Sequence, residues 1–193
     1  MAEDLEKKHV CPWWIGYFLL IPFRKLAQDP QKILSPFVRS GMTVLEVGPG
    51  MGYFTLTLAR LVGESGSVIC ADIQKKMLGA LRRRAAKAGL GERISTVLAD
   101  RDSLHIDTLA GKVDFALAFA VVHEVPDQVR LFEQIARSLK PGAVLIFSEP
   151  AGHVTPEEFR ASVNLARSMG LEEAGAIHIK QSLTVLLRKG DSA

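Results

Sequence analysis

Three alternating glycines, Gly48, Gly50 and Gly52, follow the apolar run Val44-Leu45-Glu46-Val47. Glycines so placed allow positive φ and remove Cβ atoms, so a ligand can lie against bare backbone and the N–H groups of the following helix N-terminus. That chemistry suits a nucleotide-type cofactor on a strand–helix unit. The spacing is G-x-G-x-G with Glu46 two residues ahead of the first glycine, whereas the dinucleotide fingerprint is G-x-G-x-x-G. A ribose diol needs a bidentate acceptor. The run Ser67-Val68-Ile69-Cys70-Ala71-Asp72 supplies one 24 positions past Gly48, close to the roughly 20-residue offset that one βαβ unit imposes. Ser95-Thr96-Val97-Leu98-Ala99-Asp100 is another short β-branched run closed by a carboxylate. Three strand ends therefore point at one ligand.

A second set of reactive side chains follows two later strands. His123 and Glu124 come after the apolar stretch 113–119, and Glu149 and His153 after 143–148. An imidazole with an ordinary pKa near 6.5 suits a general base, and Glu124 can orient it or act as the base itself. Glu149 and His153 carry the same logic. The structural alternative for each is a helix cap or a packed side chain. Two His and two Glu also suit a divalent ion, but none are spaced i, i+4 on one helix, and no metal is expected. His105 and His178 read as loop and strand residues with no defined chemistry.

Positioning these groups requires alternating strands and helices, which predicts a parallel, doubly wound α/β sheet with right-handed crossovers. Strands are expected over 43–47, 67–71, 95–99, 113–119 and 143–148, and helices near 29–38, 53–62, 74–88, 127–139 and 156–169. Segments 175–180 and 182–188 read as a final antiparallel hairpin. A chain of 193 residues with 48% apolar content suits one such domain. A net charge of +3 is too small to imply a nucleic-acid footprint. The cluster Arg82-Arg83-Arg84 falls on or beside the wet face of a helix whose buried stripe is Met77, Leu78, Leu81 and Ala85.

Cys11 and Cys70 make no disulfide framework, so a reducing cytoplasm is the expected location. Glu3, Asp4 and Glu6 ahead of Lys7 and Lys8 are wrong for a secretory signal. The apolar run 10–23 is interrupted by Pro12, Gly16 and Pro22 and is too short to span a membrane. It holds Trp13, Trp14 and Tyr17, and reads as a lid or pocket wall. Core packing, weak membrane-surface contact or a dimer contact are the alternatives.

From residue 29 to residue 189 the chain resembles the class I S-adenosylmethionine-dependent methyltransferases, especially the small-molecule branch containing the ubiquinone/menaquinone-biosynthesis C-methyltransferases. The matching segments are Val44 to Gly52, Asp72, Asp100 with Arg101, the fourth-strand segment Val113 to Asp127, and the turn Leu139-Lys140-Pro141-Gly142 leading into a fifth strand. The resemblance implies a Rossmann-like, mostly parallel sheet of order 3-2-1-4-5-7-6 with an antiparallel C-terminal hairpin. It implies one methyltransferase domain over 29–193, with 1–28 folding over the site as a lid. S-adenosyl-L-methionine would be the cofactor and S-adenosyl-L-homocysteine the product. Cofactor contacts are expected from Glu46, Gly48, Pro49, Gly50, Gly52, Tyr53, Asp72, Ile73, Asp100, Arg101 and Ala118. Catalytic roles are expected from His123, Glu124, Glu149 and His153.

The implied reaction is in-line methyl transfer to a small, apolar or aromatic molecule, by a monomer or homodimer. A base matters there only when the nucleophile must lose a proton. Nucleic-acid amine methyltransferases place an Asn/Asp-Pro-Pro-aromatic motif after strand four. Here that position reads Ala118-Phe119-Ala120-Val121, so no nucleic-acid partner is expected. Two other classes keep some of these features. A non-catalytic S-adenosylmethionine-binding protein would retain every cofactor residue and need no base. An NAD-dependent oxidoreductase would use Asp72 but expects the other glycine spacing.

Overall fold

In the computed structural model, which describes residues 28–191, the strand leading into the glycine loop is β1 (Thr43–Val47), buried on both faces. Val44 packs to one side and Leu45 to the other, as in a strand inside a parallel sheet covered by helices on both sides. β1 pairs in parallel with β2 (Ser67–Asp72) and with β4 (Val113–Phe119). β3 (Ile94–Leu98) extends the sheet beyond β2, and β5 (Leu139–Pro150) beyond β4. β7 (Ser182–Lys189) lies antiparallel to β5, and β6 (Leu171–Gly175) antiparallel to β7. The order is β3-β2-β1-β4-β5-β7-β6, the Rossmann-like sheet that the resemblance implies. Strand order reverses between β1 and β4, so their carboxyl ends open a crevice there.

Helices α1 (Pro30–Leu34), α2 (Thr55–Leu61) and α3 (Lys75–Lys87) cover one face, where Leu34, Leu58 and Leu81 meet Phe115 and Ile146. Helices α4 (Gln128–Ser138) and α5 (Pro156–Ser168) cover the other. Phe147 of β5 joins them, with ring centroids 5.4 Å from Phe132 and 4.9 Å from Phe159. A capping box between Thr155 and Glu158 starts α5. On α3, Arg82 and Arg83 lie on the wet face as expected. Arg84 instead turns its guanidinium to the carbonyl of Met51 and fastens the glycine loop to the helix.

Three boundaries differ from expectation. α1 stops at Leu34, with Ser35 as its still-helical C-cap, because Pro36 has no N–H to donate to the Lys32 carbonyl and carry the helix on. β5 begins at Leu139 rather than after the Pro-Gly turn: Leu139 pairs with Val113, and the register then slips so that Val144 faces Phe115. β6 occupies Leu171–Gly175, not 175–180. The apolar residues that suggested a strand there, Ile177 and Ile179, drop onto the core beside Phe115. The real edge strand displays Glu172 and Glu173 to solvent, charges that protect an exposed sheet edge. Residues 1–27 lie outside the described region, and with them Cys11, the apolar run 10–23 and almost all of the expected 1–28 lid.

Glu46 is the buried acid of β1, 3% exposed, lying between Cys70 of β2 and Leu117 of β4. Its Oε2 accepts the Thr55 hydroxyl at 2.6 Å, and burial pushes its pKa up to about 7. The folded state therefore holds a proton that the unfolded chain releases from about pH 4.5. The stability this proton contributes is complete below that pH and is lost as pH rises to about 7. Replacing Glu46 by Gln should raise stability relative to the parent by up to about 3 kcal/mol between pH 5 and pH 8 in urea unfolding. A pH-independent difference would contradict the buried acid. The loop that follows gives a second test. A Cβ at Gly48 would come within 2.5 Å of Val121, whereas one at Gly50 would meet nothing within 4 Å. Both residues sit at positive φ. Gly50→Ala should thus cost only the left-handed strain, roughly 1–2 kcal/mol, and Gly48→Ala about 3 kcal/mol or more in the same assay. Equal losses would mean that the loop does not pack on Val121.

Candidate functional site

The chain leaves β1 through Gly48, Gly50 and Gly52, with φ of 66°, 56° and 86°. The Gly48 N–H donates to the Ala71 carbonyl at 2.9 Å, and the Gly52 N–H closes the turn onto Pro49 at 2.9 Å. Gly50 turns its bare side to open space. Facing it is the carboxylate of Asp72. One oxygen accepts the Gly50 N–H at 3.3 Å and the other accepts the Gln74 N–H at 2.8 Å. Burial pushes the Asp72 pKa up, while these two backbone donors pull it down. Each carboxylate oxygen has two lone pairs, so capacity remains for a ribose diol.

These groups line a cleft at the carboxyl ends of the strands, with about 910 Å³ of empty space counted out through its open mouth. Gly48 and Gly50 form one wall, Asp72 and Ile73 another, residues 99–104 a third, and Ala120, Val121 and Glu124 the side under β4. The bare Gly50 backbone beside a half-buried carboxylate fits an adenosyl cofactor, and Ile73, 45% exposed, offers an apolar edge at the mouth.

Asp100 and Arg101 stand on the rim. Asp100 turns its carboxylate into its own loop, accepting the N–H groups of Asp102 at 2.9 Å and Ser103 at 2.7 Å and meeting His105 Nε2 at 2.7 Å. These contacts, the Asp102 amide first, hold its pKa below the usual carboxylate range. Five expected cofactor residues do not line the cleft. Glu46 lies beneath the loop, and Pro49 and Gly52 form the turn itself. The Tyr53 hydroxyl donates to the Gln28 carbonyl at 2.8 Å. Ala118 is buried inside β4. Two residues on, Ala120 lines the cleft with a left-handed φ of 56°, a conformation uncommon for a side-chain-bearing residue. Gln134 of α4 carried no motif, yet its Oε1 accepts the Leu104 N–H at 2.8 Å and fixes the third wall.

The four reactive side chains at the ends of β4 and β5 come together around His123, and Glu124 among them lines the cleft. His123 lies in a single 3₁₀ turn, Val122–Glu124, and Glu149 near the end of β5 is 1% exposed. One Glu149 oxygen accepts the backbone N–H of His123 at 3.1 Å, and the other meets its ring Nδ1 at 2.5 Å. The Glu149 hydrogen bond raises the His123 pKa against the opposing effect of burial. His123 Nε2 stands 4.0 Å from Glu124, which lines the cleft. The His153 ring lies edge-on to that of His123, centroids 6.2 Å apart. Sequence logic offered Glu124 as the orienting group; the hydrogen bond comes from Glu149. Among the described residues, no three His, Cys, Asp or Glu side chains are grouped to hold a metal ion, and no helix is long and apolar enough to cross a membrane.

A family model described as a methyltransferase domain matches residues 38–189. The chain is 34% identical over 142 residues to the ubiquinone/menaquinone biosynthesis C-methyltransferase UbiE of Pseudomonas paraeruginosa, an alignment covering 69% of this chain and 53% of the relative. Against the UbiE protein of Azotobacter vinelandii it is 37% identical over 118 residues, covering 59% and 46%. The chain thus spans about half the length of the curated relatives it matches. A crystal structure of an S-adenosylmethionine-dependent methyltransferase from Aquifex aeolicus shares the fold, with a TM-score of 0.82 and 24% identity over 93% of this chain and 100% of that one. With the glycine loop, the Asp72 carboxylate and the seven-stranded order in place, the chain belongs to the methyltransferase domain family, in its class I S-adenosylmethionine-dependent form.

Proposed function

We propose that the protein transfers the methyl group of S-adenosylmethionine to a small-molecule acceptor held in this cleft. The observation that carries the reading is the open face of Gly50 beside the half-buried carboxylate of Asp72. Asp72 would take the ribose diol, Gly48 and Gly50 would lie along the methionine portion, and Ile73 with the Asp100–Arg101 rim would border the adenine. The bound cofactor supplies a methyl group already activated by a positive sulfur. What remains for the protein is to position the acceptor, exclude water and, where needed, take a proton. Apolar side chains of Met77, Val121, Val125 and Leu131 in the walls suit an apolar or aromatic acceptor, and the C-methyltransferase relatives support a small molecule. To His123, Glu124, Glu149 and His153, of which Glu124 lines the cleft, we assign the handling of the acceptor's proton. We further assign residues 1–28 to the cover of the site and the protein to the cytoplasm, on the sequence arguments above.

Calorimetric titration of the purified chain tests this reading. S-adenosylmethionine and S-adenosylhomocysteine should bind at micromolar concentration and NADH should not; binding of NADH alone would overturn it. Asp72→Ala should weaken S-adenosylhomocysteine binding by about 1.5–3 kcal/mol through lost charge-assisted hydrogen bonds. Unchanged affinity would remove Asp72 from the site.

A further inference from the structure

Glu149 is 1% exposed, and among the described residues its carboxylate hydrogen-bonds the backbone N–H and the ring of His123. A buried carboxylate is costly, and apolar packing would hold a turn at least as well. Gripping one residue by both its backbone and its ring does something packing does not: it fixes the rotation of the imidazole and chooses its tautomer. With Nδ1 donating to Glu149, the lone pair of the neutral ring sits on Nε2. That nitrogen points toward Glu124 but lies 4.0 Å from it, beyond hydrogen-bond reach, and the two side chains keep 26% and 21% of their surface in contact with solvent. Nε2 is thus fixed and basic, on a part-exposed ring next to Glu124 of the cleft wall.

From this geometry we infer that His123 is the general base of the reaction and Glu149 its positioning residue, so that the acceptor atom carries a dissociable proton, as in a phenol, an enol or a thiol. The inference rests on the methyl-transfer reading above and narrows its substrate class. Tertiary amines and thioethers have no proton to lose and would leave this pair without a task. In the step itself the acceptor's proton passes to Nε2, and the freed electron pair forms the bond to the methyl carbon. The carbon–sulfur bond breaks with its pair on sulfur, which departs as the neutral thioether, and the imidazolium returns its proton to solvent. Among the described residues, three titratable groups face the ring: Glu149 from β5, Glu124 from its own turn, and His153 from the loop after β5. The two carboxylates favour the imidazolium, so the base becomes available only as pH rises past a midpoint above that of an ordinary histidine.

Nitrogen-15 NMR titration of the histidines in the full chain tests the pair without turnover. Neutral His123 should carry its proton on Nδ1, opposite to the usual preference, and its midpoint should fall in Glu149→Gln. An Nε2–H tautomer, or a midpoint unmoved by the substitution, would overturn the inference; should Glu149→Gln not fold, the wild-type tautomer decides. 4-Nitrophenol, whose anion absorbs at longer wavelength, probes the acceptor class. In the complex with S-adenosylhomocysteine it should ionise at lower pH than in free solution, and His123→Ala should abolish that shift. No protein-dependent change would overturn the assignment of a proton-bearing acceptor. Failure of S-adenosylhomocysteine itself to bind would instead defeat the methyl-transfer reading and leave the tautomer result standing.

Discussion

The site depends first on one carboxylate with two backbone amides. Asp72, at the last position of β2, takes the N–H of Gly50 on one oxygen and that of Gln74 on the other. This ties the loop after β1 to the turn that begins α3. The sheet makes the contact possible, because parallel pairing of Val47 with Ala71 brings the two strands to an end side by side. The Gly48 amide on the Ala71 carbonyl continues that pairing one step into the loop. Arg84 secures the same loop from the helix side through Met51. A chain path of left-handed turns is thereby held open on the side of Gly50 and closed on the side of Val121.

The opposite side of the crevice is organised differently. There a strand end holds a buried acid, Glu149, whose hydrogen bonds go to the backbone and ring of one histidine. The two acids mark a division of labour on one sheet edge. Asp72 holds the glycine loop in shape, and Glu149 holds the His123 ring in one orientation. Glu46, on β1 between the strands of these two acids, is the acid that burial shifts toward neutrality, and it lies beneath the loop.

What was legible in the sequence were residues at strand ends, because an apolar run broken by Gly, Asp, His or Glu marks both the end of a strand and its placement on the carboxyl edge. Gly50, Asp72, His123 and Glu149 were found that way, and strand order followed from the resemblance. Less legible was where a side chain turns once the strand has ended. Glu46 and Ala118 sit in the same strands as the cleft residues but face the core, since strand alternation decides direction and the motif does not. Asp100 sits on the rim, yet local amides claim its carboxylate. Gln134 belongs to a helix whose apolar period predicts packing and says nothing of a polar residue beside it. The hairpin was shifted because an edge strand bearing two glutamates lacks the apolar signal, while Ile177 and Ile179 supply it from a loop.

The most direct test is a crystal structure of the full chain with S-adenosylhomocysteine. The account predicts the ligand across the β1–β4 crevice, its ribose hydroxyls on the Asp72 carboxylate and its chain against the open side of Gly50. A ligand bound elsewhere, or one that leaves the Asp72 carboxylate untouched, would contradict it.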